Sequence, residues 1–74
     1  MKMNVAQAKQ FKNSKTELTI SVGYIAPDGT PAVWKMENVS ITGVWKVSGS
    51  GYVLEFNNGR SCNMHQVVEF IEIN

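Results

Sequence analysis

AVWKMENVSITGVWKV, residues 32–47, is the longest strand-like run of the chain, and its reading decides the fold. Its β-branched and aromatic residues favour an extended backbone. An extended chain turns successive side chains to opposite faces. Val39, Ile41, Gly43, Trp45 and Val47 then share one face, and Ser40, Thr42, Val44 and Lys46 share the other. Traced backward, Val33 keeps the first face, while Trp34 and Met36 fall on the second. The large apolar residues therefore change face near Glu37-Asn38. Two arrangements account for this. A bend or bulge there carries the run round the corner of a small barrel, or a turn there divides it into two strands. Gly43 in mid-run points to strong curvature or to a close neighbour.

The flanking segments repeat the strand signal. In ELTISVGYIA (17–26), Leu18, Ile20, Val22 and Tyr24 alternate with polar or small residues, which predicts a half-buried strand with the first set turned inward. APDGTP (26–31) ends it, with Asp28-Gly29 as the turn pair and Pro27 and Pro31 blocking ladder pairing. Downstream, SGSG (48–51) reads as a flexible connector. YVLEF (52–56) follows, with Tyr52, Leu54 and Phe56 inward. Asn58-Gly59 suits a type I′ hairpin turn, and RSCNM (60–64) reads as the returning strand. In VVEFIEI (67–73) apolar residues occupy both parities, so a short helical turn around 65–67 is expected before a last strand from about Val68. At the other end, NVAQAKQFKN (4–13) predicts a short helix. Asn4 caps it, Gln7 completes a capping box, and Val5, Ala8 and Phe11 form one side. A helix this short does not hold alone in water, so it is expected to dock through that side.

The 74 residues suffice for one domain, 1–74, which buries only roughly 60% of the surface its unfolded chain exposes. The hydrophobic share of 43% suits a folded chain and leaves apolar surface for self-association. A single cysteine forms no internal disulfide. No apolar run has signal-peptide or membrane-spanning length, so the expectation is a cytoplasmic protein without membrane contact. The formal net charge of +1 argues against strong phosphate neutralisation. Lys2, Lys9, Lys12 and Lys15 crowd the N-terminal stretch, however, and Glu55, Glu69 and Glu72 the C-terminal part.

The element order is a helix and then about five short strands, which must curl to avoid sticky edges. This layout resembles the small SH3-like and Sm-like β-barrels, with YVLEFNNGRSCNMHQVVEFIEI in the place of their closing hairpin and last strand. The resemblance implies a mainly β, five-stranded barrel with a short N-terminal α-helix. The histidine of NMHQV stands near one that bacterial Sm-like proteins carry, but the surrounding tyrosine–lysine–histidine context is missing, so their RNA site is not implied.

NNGRSCNMHQ (57–66) holds the only cysteine, histidine and arginine of the chain. On an extended strand Cys62 and His65, three apart, diverge, and one thiol with one imidazole is a poor zinc site. Glu69 and Glu72 lie on opposite parities and do not converge as an acid–base pair. GSG (49–51) lacks the lysine–serine context of a phosphate loop. The chain is therefore expected to be a non-catalytic binding protein with no cofactor and no metal. It is read as a small accessory or inhibitory protein that occupies the surface of a protein partner, or of its own copies. Trp34, Trp45, Tyr24 and Met36 are the expected anchors, and Lys35, Lys46 and Arg60 the polar orienters. The alternative is a nucleic-acid-binding barrel that uses its lysines and exposed aromatics.

Overall fold

The computed structural model describes residues 2–47, 49 and 51–73. One helix, α1 (Val5–Ser14), precedes six strands: β1 (Glu17–Ile25), β2 (Pro31–Val39), β3 (Ile41–Val47), β4 (Gly51–Phe56), β5 (Ser61–Asn63) and β6 (Val67–Ile73). A 3-10 turn, Met64–Gln66, separates the last two strands, close to where mixed parity placed a helical turn. Of the connector read at 48–51, Ser48 and Ser50 lie outside the described residues.

Helix α1 begins as its sequence dictates. The Asn4 side chain accepts from the Gln7 N–H at 2.8 Å, and the Gln7 side chain accepts from the Asn4 N–H at 3.0 Å. Lys15 ends it in the left-handed conformation, φ 55°. The helix docks rather than frays. Ala8 and Phe11 are buried, α1 packs against β3, and Phe11 meets Phe70 of β6 edge to face at 5.7 Å.

The β1–β2 and β4–β5 hairpins use the same device. Gly29 and Gly59 take positive φ (86° and 83°) after turns closed by Gly29 N–H to Ala26 O and Gly59 N–H to Phe56 O. The preceding Asp28 and Asn58 side chains accept from the backbone N–H of Thr30 and Arg60. The Thr30 hydroxyl and N–H hold the Asp28 carboxyl below its ordinary value. Asn58 has no positive φ, so the type I′ turn read from the sequence is replaced by a three-residue loop ending in a left-handed glycine.

The closed five-stranded barrel, and with it the SH3-like and Sm-like resemblance, is overturned. The strands form two open three-stranded antiparallel sheets, in the orders β2-β1-β6 and β3-β4-β5. The face change at Glu37-Asn38 is the reason. Leu18 pairs with Val39 but Ile20 with Met36, so β2 carries an extra residue there, and Asn38 takes φ 57°. This bulge lets Met36 and Val39 both point inward. The chain then leaves β1 and enters the second sheet at Ser40, without a loop. Asn57 holds that corner: its N–H donates to Ser40 O at 3.0 Å, and its side-chain oxygen accepts from Ser40 N–H at 3.3 Å. A single buried cluster joins the sheets and the helix, with Leu18, Ile20, Val22, Leu54, Phe56 and Val67 its largest fully buried members.

Candidate functional site: the outer face of the first sheet

The register of the β2-β1-β6 sheet sorts its side chains. Leu18, Ile20 and Val22 face the core, so Thr19, Ser21, Gly23 and Ile25 face outward along the middle strand. Ser21 pairs with Lys35 on one side and Glu69 on the other. Gly23 pairs with Val33 and Ile25 with Pro31, while Thr19 pairs with Ile71. A second bulge, in β6, falls at Val68, between the pairing of Ser21 with Glu69 and that of Val22 with Val67. The Val68 side chain turns over Gly23, where a β-carbon would sit 3.2 Å from Val68 Cγ1.

The result is an apolar outer face. Ile25 is 68% exposed, Val33 61%, Ile71 55% and Val68 47%. With Tyr24, Gln66 and His65 several of these border an open trough of about 450 Å³ floored by Gly23. A row of opposite charges, Lys35 and Glu69, crosses the face on either side of Ser21. Ser21 is buried between them although it points outward.

The sequence-predicted anchors are distributed differently. Tyr24 is exposed beside this trough. Met36 is 5% exposed inside the core, so its expected role as an anchor is corrected: the bulge at Glu37-Asn38 turns it inward with Val39. Trp34 is half-buried against the core, and the Arg60 guanidinium lies over its ring at 5.6 Å from the centroid. The structure thus brings Trp34 and Arg60 together. Trp45 and Lys46 are exposed on the other sheet. Trp45 was expected on the face shared by Ile41. A bulge in β3 overturns this, because Ile41 pairs with Phe56 but Gly43 with Glu55. Beyond it Val44 packs on the core and Trp45 turns away, over Gly43.

Ile25, Val33, Val68 and Ile71 were not singled out from the sequence. The apolar residues on both parities of VVEFIEI were the signal there, and the bulge at Val68 decides the outcome: it buries Val67 together with Phe70 and leaves Val68 and Ile71 exposed.

Cys62 is buried in β5, and burial pushes its thiol up to about 11. At neutral pH it is a protonated thiol packed as a small hydrophobe. His65 is exposed in the 3-10 turn. Among the described residues no group of three His, Cys, Asp or Glu is placed to hold a metal ion, and no helix is long and apolar enough to cross a membrane.

No protein-family model matches the chain, and no curated protein or solved structure matches it significantly.

Proposed function

We propose that the protein is a non-catalytic protein-binding module that engages its partner through the outer face of the β2-β1-β6 sheet. The observation that carries this reading is segregation. Ile25, Val33, Val68 and Ile71 are large, exposed and apolar on the outer face of that sheet, and Tyr24 borders it; of the large exposed apolar residues described, only Trp45 lies on the other sheet. Scattered apolar residues on a surface need no explanation, whereas a contiguous set on one sheet face is what a protein interface presents. The face is open and shallow, with apolar rows and one charged row, so it suits another protein surface better than a small molecule. Acting by occupation alone, such a module serves as an accessory or an inhibitor of what it covers.

Capture from host lysate tests the reading. Wild type and a Trp45→Ala control are expected to retain the same partner, and Val33→Asp and Ile71→Asp to lose it while keeping a wild-type circular dichroism spectrum. Retention by both aspartate variants would overturn it.

A second reading, nucleic-acid binding, is favoured by one feature. Lys12 and Lys15 border an open groove with Ser40 and Thr42, and Lys2 and Lys9 are exposed nearby in sequence. Phosphate contacts give an affinity that falls steeply with salt. Binding of a single-stranded oligonucleotide that weakens about tenfold or more from 50 to 200 mM salt, and is lost in Lys12→Glu/Lys15→Glu, would support it.

A further inference from the structure

We propose that the protein seated on the outer face of the β2-β1-β6 sheet is a second copy of this chain, docked face to face about a two-fold axis running along β1. The inference rests on the protein-binding reading of that face and adds the identity of the partner.

The charged row supplies the reason. Lys35 on β2 and Glu69 on β6 flank Ser21 on β1, in one line across the sheet. Strands lie about 4.8 Å apart, so the two residues stand about 10 Å from one another, backbone to backbone, on either side of the middle strand. A two-fold axis along β1 exchanges the two sides. Lys35 of one copy then lies over Glu69 of the other, and the pair occurs twice. An axis across the strands that passes through the Ser21 row would instead set Lys35 over Lys35 and Glu69 over Glu69. Like charges facing each other are costly, so the charges select the first arrangement.

The apolar rows agree with the same axis. Val33 on β2 comes over Val68 on β6 of the second copy, and Ile25 meets its own equivalent on the axis. Residues on the axis face themselves, so they must be small or apolar. The middle strand offers Ser21, Gly23 and Ile25 there. Sheets packed face to face sit about 10 Å apart with strands within about 30° of each other, and long Lys and Glu side chains span that gap at the rim. The face is only three strands wide. The interface therefore falls at the small end of the range, where association is weak and transient.

Sedimentation equilibrium from about 10 to 500 µM reads the association, a range set by that small interface. Wild type is expected to rise from the single-chain mass of 8.2 kDa toward twice that value. Lys35→Glu alone and Glu69→Lys alone are expected to weaken association by about tenfold or more, because each places like charges together twice. The combined Lys35→Glu/Glu69→Lys chain is expected to dimerise again. So is an equimolar mixture of the two single variants, in which both facing pairs become opposite in sign. Recovery on mixing also excludes misfolding as the cause of the single-variant loss. A wild type that stays at one chain mass throughout, or single variants that associate like wild type, or a mixture that fails to recover, would each overturn the proposal. If wild type is monomeric yet Val33→Asp still loses a lysate partner, the second-copy inference fails while the binding reading stands.

Discussion

The indole of Trp45 occupies the space that a side chain at Gly43 would need: a β-carbon built at Gly43 would lie 2.5 Å from Trp45 Cζ3. The two residues are two apart on one strand face, and that face is turned away from the core by the β3 bulge. The glycine thus serves its own neighbour, letting a tryptophan that cannot enter the core cover backbone instead of standing fully in water.

Gly43→Ala tests this directly. Trp45 is 49% exposed, so its ring can swing outward without disturbing the core. The variant is expected to fold with a stability change within about 1 kcal/mol. In a Trp34→Phe background the Trp45 emission is expected to shift to longer wavelength. An unchanged spectrum would show that the ring does not depend on the missing β-carbon.

Asn38 sits in the left-handed region at the bulge where the chain leaves the first sheet. Asparagine tolerates that conformation and glycine takes it without strain, whereas a β-branched residue does not. Asn38→Val is expected to lose about 1–2 kcal/mol in urea denaturation, and Asn38→Gly to stay within about 0.5 kcal/mol of wild type. Equal losses in both variants would mean the side chain, not the backbone, is what matters there.

The corner bond from Ser40 N–H to the Asn57 side chain is a second, separable contribution. Asn57→Ala removes it and leaves the Asn57 N–H to Ser40 O bond in place. The expected loss is about 1 kcal/mol by denaturant titration, with the m-value unchanged because both sheets stay folded.

Burial raises the Cys62 thiol from an ordinary 9.0 to about 11, so the folded chain holds this proton more tightly than the unfolded chain does. Its contribution is complete below about pH 9 and is lost as pH rises toward 11. Two pH units correspond to up to about 2–3 kcal/mol. Unfolding of wild type and Cys62→Ala, compared at pH 8 and pH 11, is expected to show a smaller alkaline loss in the variant. Parallel losses would place the alkaline sensitivity elsewhere, in the tyrosines or lysines.

Local chemistry settled much of this protein in advance. Asn4 and Gln7 specify the helix start, Asp28-Gly29 and Asn58-Gly59 specify where the hairpins turn, and alternation specifies the inward set of β1, because each depends on residues a few positions apart. The face change near Glu37-Asn38 was also visible, and with it the bulge as one of two solutions. Which faces the later residues take was not visible. Bulges at Glu37-Asn38, in β3 and before Glu69 each shift parity by one, and a one-residue shift moves every following side chain to the other face. That is why Met36 left the surface, Trp45 left the face of Ile41, and Val33, Val68 and Ile71 emerged together on one sheet. Short-range bonding and the period of the side chains set the helix, the turns and the strand-rich character. Tertiary structure alone decided that the strands divide into two sheets and that Lys35 and Glu69 flank Ser21. Pairing between distant strands, and the bulges that adjust it, answer to packing across the core and not to any local run of residues.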